Sequence, residues 1–290
     1  MESVLVIGGA GYMGSGIVQA CAQAGYKVYI NDIDDKAIEK TLAFIEWSVK
    51  KLESKNLLKD SSRNILARLT VEKNLDIASS VDWIIETATE VEELKLSLFM
   101  KLDALAPANV PLGTNTSTIP ISRIAKATAH PERVVGIHFF NPVPLMGLME
   151  IIRGDATSPQ IFDRATDFAR SLGKRPVRVQ KDIPGFVFNR IWGAAIAQAV
   201  DLVAEGIVTA EDVDFGMREG YGWKRGPFEM ADVAGVDTYA NGAHSFIRLG
   251  EPGLAPRTTL LDDMVKQGRV GTKAGKGFYD YTSDKSKNSK

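Results

Sequence analysis

Short, uninterrupted apolar runs recur along the chain between longer mixed stretches. Val4-Leu5-Val6-Ile7 is such a run, and it predicts a strand covered on both faces. A helix is predicted from about Met13 to Ala24, with Gly25 at its C-terminal cap, and Val28-Tyr29-Ile30 then reads as a second strand. Strand, helix and strand within roughly thirty residues make a βαβ unit. Further strand-like runs fall at 83–85, 110–113, 134–137 and 149–152, separated by helical or polar stretches. That alternation predicts an α/β fold, a Rossmann-type doubly wound and mainly parallel sheet. Beyond Lys181-Asp182-Ile183-Pro184-Gly185 the patterns are almost all helical, and Pro-Gly is turn chemistry. The expected organisation is the α/β domain at 1–183, an all-helical C-terminal domain at 184–281 and a polar tail at 282–290.

Composition narrows the class. With 44% hydrophobic and 24% charged residues the chain has the make-up of an ordinary globular protein. Thirty-five basic residues against 36 acidic ones leave a net charge of -1, so no global field draws nucleic acid or an anionic membrane. No such partner is expected, and no metal site. Cys21 is the only cysteine, which excludes an intrachain disulfide and fits a reducing, cytoplasmic setting. No leader is expected, because a strand-like run begins at Ser3. The apolar stretch 186–203 is interrupted by Asn189, Arg190, Gln198 and Asp201, which argues for a buried or interface helix rather than a membrane span.

Gly9-x-Gly11-x-x-Gly14 stands between the first strand and its helix, and Asp32 ends the second strand 18 residues after Gly14. In that setting the motif predicts a dinucleotide site. The first glycine is expected to permit a tight turn, the second a close approach to the pyrophosphate, the third a close packing of helix on strand. Tyr12 and Met13 open the helix whose N-terminus meets the phosphates. Asp32 accepts hydrogen bonds from ribose hydroxyls, whereas a 2′-phosphate meets like charge. One such repulsion is worth about 4 kcal/mol at ~4 Å and an effective dielectric of ~20, less where solvent intervenes. The expected cofactor is NAD.

Two further features carry chemistry. A helical insertion at about 43–68 holds Lys50, Lys51, Lys55, Lys59, Arg63 and Arg68 against Glu46, Glu53 and Asp60. It reads either as a solvated helix pair or as an arm that meets a phosphorylated ligand. His138 ends the strand at 134–137, where ligands of doubly wound sheets gather, and Glu150 follows twelve residues later. Such a pair serves as a base and its orienting partner, or as a satisfied structural histidine. His130 and His244 read as surface or packing residues.

His138-Phe139-Phe140-Asn141-Pro142-Val143-Pro144 with Met149-Glu150 resembles the signature of the short-chain 3-hydroxyacyl-CoA dehydrogenases. Asn115-Thr116-Ser117, the run Pro184–Arg190, Gly226-Pro227-Phe228-Glu229 and the closing Gly271–Tyr279 match in the same order. The resemblance implies NAD-dependent oxidation of an (S)-3-hydroxyacyl-CoA, with His138 as catalytic base and Glu150 orienting it. It implies that Ser117 and Asn189 contact the substrate oxygen and the histidine. Glu90, Lys95, Asn115 and Lys273 are implied cofactor contacts, and Ser48, Lys55 and Asn141 implied substrate contacts, the first two at the coenzyme A nucleotide. It also implies a homodimer through the helical domain, where Ile191, Trp192, Ile196, Val200 and Val203 surround more than one helical face. Two stretches depart from the family pattern. Gly147 replaces a common lysine, and Tyr221-Gly222-Trp223-Lys224-Arg225 replaces a shorter segment. Both bear on acyl length and partner geometry. Competing classes are a dehydrogenase of the same architecture acting on another hydroxy acid, and an NAD-binding structural protein with a silent site.

Overall fold

A computed structural model describes residues 2–282. Of the tail expected at 282–290, residues 283–290 lie outside the described residues. The chain divides into two compact units, 1–183 and 184–290.

In the first unit, β1 (Ser3–Ile7), α1 (Tyr12–Gln23) and β2 (Lys27–Asn31) form the initial βαβ unit. There follow α2 (Asp35–Glu53), α3 (Ser62–Leu66), β3 (Leu69–Val71), β4 (Trp83–Glu86), α4 (Glu92–Leu105), β5 (Leu112–Thr114) and α5 (Ile121–Ala125). The unit ends with β6 (Val134–Phe139), β7 (Leu148–Ile152), α6 (Pro159–Ser171) and β8 (Arg175–Val179). Among the described residues, one eight-stranded sheet has the order β3-β2-β1-β4-β5-β6-β7-β8. Every pairing is parallel except β6 with β7. Strand order reverses at β1, so the crevice beyond the carboxyl ends of β1 and β4 is the switch point where ligands of such sheets bind.

The elements follow from their residues. Val4, Leu5 and Val6 are fully buried because helices cover both faces of β1. Trp83 stacks on Phe168 of α6 with ring centroids 4.6 Å apart, which anchors that helix to the sheet. α2 starts where the Asp34 carboxylate accepts from the backbone N–H groups of Lys36 and Ala37. It buries Ile38, Thr41, Ile45 and Val49, a helical stripe. The expected insertion is therefore the far end of an ordinary crossover helix, extended and followed by α3. Part of its positive charge is spent internally. Lys50 pairs with Glu46, and Arg68 pairs with Asp60 while also donating to the Ala22 carbonyl.

The β6–β7 connection is held from below. The buried Lys174 ammonium donates to the carbonyls of Val143 and Met146 at 2.7 and 2.8 Å, and burial pushes its pKa down. Gly147 sits beside this turn in open space, its carbonyl taking the Arg175 N–H.

The second unit contains α7 (Phe188–Ala204), α8 (Ala210–Tyr221), α9 (Pro227–Ala234), α10 (Val236–Arg248) and α11 (Leu260–Lys266). Its core includes Ile196, Val200, Phe228, Val236, Leu261 and Met264. Ile196 and Val200 are thus buried within the unit itself, whereas Ile191 is exposed. Two buried carboxylates explain two of the sequence motifs. Asp214 accepts from the N–H groups of Phe228 and Glu229, capping α9 where Gly226 brings no side chain. Asp232 accepts from the N–H groups of Phe278 and Tyr279, and a Cβ at Gly277 would stand 1.9 Å from its Oδ1. Trp223 packs on Trp192, with centroids 5.2 Å apart.

Candidate active site

The loop after β1 presents backbone rather than side chains. Gly8 has φ +72°, and a Cβ there would lie 2.8 Å from both the Ala88 nitrogen and the Thr87 carbonyl oxygen. The close approach of the loops after β1 and β4 therefore requires a glycine with left-handed backbone at position 8. The tight turn expected at Gly9 belongs instead to Gly8, the residue before the motif. What Gly9 needs is room, since its Cβ would meet Ile30 Cγ2 at 2.9 Å. At Gly14 a Cβ would reach within 2.1 Å of the Gly8 oxygen, so α1 packs directly on the turn. Gly11 is the N-cap of α1 and offers no capping side chain. The first-turn N–H groups, those of Tyr12 and Met13 among them, have no partner within the helix and carry the positive end of its dipole. Asp32 braces this loop, one carboxylate oxygen accepting the Ala10 N–H at 3.0 Å and the other the Asp34 N–H at 3.2 Å. Glycines that admit no side chain, an uncapped helix N-terminus and a carboxylate at the end of β2 fit an adenine dinucleotide.

At the carboxyl end of β4 lies a buried charge cluster. Glu86 is 0% exposed and Lys95 of α4 is 1% exposed, joined at 2.6 Å. Glu86 also accepts from the Thr114 hydroxyl and the Ala88 N–H, and Lys95 donates to the Ala88 carbonyl. Glu90 lies 3.4 Å from the same ammonium. Its Oε1 accepts from the hydroxyls of Thr116 and Thr118 and from the N–H groups of Ser117 and Thr118. The resemblance implied that Lys95 contacts the cofactor. Here its ammonium pairs with Glu86 and lies beside Glu90, so Lys95 holds Glu90, and Glu90 holds the loop of Ser117. Glu86, which closes the apolar run Trp83-Ile84-Ile85, was not singled out from the sequence. A carboxylate ending a buried strand was the available signal.

Burial opposes ionisation of Glu90, but the Lys95 ammonium and the Thr116 and Thr118 hydrogen bonds outweigh it and hold the carboxyl below its usual 4.5. A carboxyl depressed in the folded state contributes stability above its unfolded pKa and loses it as pH falls through the folded value. Glu90→Gln removes that contribution. The melting temperature of the variant should fall below that of the native protein at pH 7, and the gap should close as pH falls through the depressed range of the Glu90 carboxyl. Thermal melts over a pH series check this, and a gap independent of pH would contradict it.

β6 and β7 pair in antiparallel register with His138 opposite Glu150. Opposed residues of such a pair share a face, so the two side chains meet. His138 Nδ1 lies 2.7 Å from Glu150 Oε2, and Glu150 is fully buried. A carboxylate accepts only, so the imidazole carries its proton on Nδ1. Phe140 lies edge-on to the His138 ring, centroids 4.8 Å apart. The Asn115 carboxamide oxygen accepts the Phe139 N–H at 2.9 Å, tying the loop after β5 to the histidine strand two residues before Ser117.

A groove of about 750 Å³ opens beside the turn that follows β6. Its walls are the start of α1, one side of α2, and the turn Asn141–Leu145. The turn packs on α1, where a Cβ at Gly16 would meet Val143 at 2.9 Å. Asn141 donates to the Tyr12 hydroxyl at 2.5 Å, and both residues line the groove. Ser48 and Lys55 both line it. Thus Gly9, Gly11, Gly14 and Asp32 share one crevice, and Tyr12, Asn141, Ser48 and Lys55 share one groove. Asn189 and Lys273 belong to the second unit, where Lys273 pairs with both oxygens of Asp237 at 2.7 Å. Among the described residues no cluster of three metal-ligating side chains occurs, and no helix is long and apolar enough to cross a membrane.

A doubly wound sheet with this glycine turn, the Asp32 carboxylate after β2 and a histidine–glutamate pair defines an NAD-dependent dehydrogenase. Residues 3–183 match the NAD-binding domain of 3-hydroxyacyl-CoA dehydrogenase, and 185–281 match its C-terminal domain. A 3-hydroxybutyryl-CoA dehydrogenase of Bradyrhizobium diazoefficiens is 38% identical over 96% of this chain and 94% of that protein. The mitochondrial hydroxyacyl-coenzyme A dehydrogenase of Mus musculus is 35% identical over 97% and 91%. The crystal structure of an (S)-3-hydroxybutyryl-CoA dehydrogenase from Ralstonia eutropha superposes with a TM-score of 0.90 at 37% identity, covering 97% of this chain and 99% of that one. The chain belongs to the 3-hydroxyacyl-CoA dehydrogenase family.

Proposed function

We propose that this chain catalyses the reversible NAD-dependent oxidation of short-chain (S)-3-hydroxyacyl-CoA to 3-ketoacyl-CoA, with 3-hydroxybutyryl-CoA and acetoacetyl-CoA as the exchanging pair. The observation that carries the reading is the buried 2.7 Å contact of His138 with Glu150 near the carboxyl end of β6. NAD, when bound, supplies the hydride acceptor. With Nδ1 engaged by Glu150, Nε2 of His138 takes the proton of the 3-hydroxyl. Glu150 fixes the tautomer and stabilises the imidazolium that results. Ser117 lies in the loop that Glu90 and Asn115 hold near the histidine strand, and its hydroxyl supports the oxygen as it becomes a carbonyl. Asn141 and Tyr12 meet the thioester end of the substrate, and Ser48 with Lys55 meets the coenzyme A nucleotide. α2 from Thr41 to Glu53 is roughly 18 Å long at ~1.5 Å per residue, a length suited to an extended pantetheine arm. A substrate without coenzyme A would leave that groove unused, which argues against a small free hydroxy acid.

The working assembly is a homodimer formed through the helical unit, a reading supported by the exposed apolar side chains of Ile191, Ile207 and Phe215 and checked by sedimentation equilibrium. The cytoplasmic setting rests on the single buried thiol of Cys21.

The direct test follows NADH absorbance with acetoacetyl-CoA. Turnover is expected with NADH, and turnover with NADPH should be poorer by at least about 10-fold because Asp32 repels the 2′-phosphate. Failure to consume NADH with acetoacetyl-CoA, alongside turnover of a free hydroxy acid, would overturn the assignment.

A further inference from the structure

Phe44 and Trp47 stand one helical turn apart on α2, and both line the groove. They are 50% and 55% exposed, with ring centroids 5.7 Å apart and planes inclined by 32°. The stripe that α2 buries consists of other residues, so neither ring holds the helix to the sheet. Two large aromatic side chains left in water beside one another mark a binding surface. The charges around them have the same bearing. Lys51 lies over the Trp47 ring at 4.5 Å. Lys51 and Lys55, both lining the groove, form no ion pair among the described residues, whereas their neighbour Lys50 is tied to Glu46. An apolar aromatic pair flanked by ammonium groups that form no ion pair among the described residues suits a ligand that joins a planar base to phosphates.

We propose that Phe44 and Trp47 form a stacking platform for the adenine of the coenzyme A substrate, making Trp47 a specificity-determining residue. Lys51 and Lys55 take its phosphates. The inference rests on the coenzyme A reading of the groove. It adds to that reading a cause for nucleotide recognition that charge alone does not supply. A π-face binds a base in water because stacking survives solvation better than an exposed ion pair does. Serine and lysine contacts by themselves would accept any phosphorylated tail, whereas a platform favours one that carries a base.

The test compares acetoacetyl-CoA with acetoacetyl-pantetheine, which lacks the nucleotide. Native protein should show a lower KM for the coenzyme A thioester. Trp47→Ala should raise that KM by about 5- to 100-fold, the usual range for losing one stacked base. The KM for the pantetheine thioester and kcat for both should move far less, and Trp47→Phe should restore most of the loss. Adenosine 3′,5′-bisphosphate should inhibit the native protein competitively and the alanine variant weakly. Equal effects of Trp47→Ala on both thioesters, or none on either, would overturn the platform. So would a change confined to sedimentation, which would instead mark the aromatic pair as a contact between copies of the chain. A native protein that treats the two thioesters alike would sink the coenzyme A reading itself, and that outcome needs no variant. Because Trp47 is half exposed, the alanine variant should fold, and its melting temperature verifies that.

Discussion

Replacing His138 with asparagine should lower kcat for acetoacetyl-CoA reduction by about 10²- to 10⁴-fold, the range spanned by a positioned general acid or base. Asparagine still offers a donor toward Glu150, so the buried carboxylate is not left wholly unpartnered. It cannot exchange a proton near neutral pH. The dinucleotide crevice is built by the loop after β1, by Asp32 and by the start of α1, none of which the substitution touches. NADH affinity, measured by fluorescence titration, should therefore stay within about twofold of the native value, since only the proton-transfer step has been removed. Unchanged turnover would remove His138 from the mechanism. Loss of NADH binding along with turnover would show that the histidine strand shapes the cofactor site rather than moving a proton.

How far the sequence reveals this site depends on the range of the interaction involved. The strands at the sheet centre are legible because helices on both faces force runs such as Val4–Ile7 and Trp83–Ile85 to be apolar. The edge strands are not. β3 (Leu69–Val71) is largely exposed, and β8 (Arg175–Val179) carries two arginines and a proline, so neither shows an apolar run. Both form by pairing with strands distant in sequence. Position 8 is missed for a related reason. The glycine pattern counts spacing within the helix start, while the demand for left-handed backbone comes from Thr87 and Ala88 across the sheet.

His138 and Glu150 can be named from the chain, but their contact depends on hairpin register, and that register depends partly on Lys174 beneath the turn. The basic residues of the arm show the opposite failure. Counting charges along 43–68 gives no sign that Lys50 and Arg68 are paired internally while Lys51 and Lys55 reach the groove. Phe44 and Trp47, beside them, belong to no motif that singles them out in the sequence.

The same distinction between a residue's type and its surroundings governs Lys95, whose replacement by methionine should cost about 3–5 kcal/mol of stability. Methionine matches the length of the aliphatic stem but leaves Glu86 wholly buried, with the Thr114 hydroxyl and the Ala88 N–H as its remaining partners among the described residues. Desolvating an ion pair is expensive, so the pair as a whole contributes little net stability. Removing one partner is worse, because the cost of burial persists and the attraction is gone. A loss of that size should lower the melting temperature by roughly 6–20 °C in a chain of this length. The charge explanation has its own control. Glu86→Gln added to Lys95→Met keeps the oxygen that accepts from Thr114 and removes the stranded charge, so much of the lost stability should return. If the double variant melts below the single one, the cluster is held by hydrogen-bond geometry rather than by neutralisation. In kinetics the single variant should raise the KM for NADH as the Glu90 loop loosens, even at temperatures where it remains folded. A stable variant with native kinetics would show that Lys95 neither positions that loop nor balances the buried charge of Glu86.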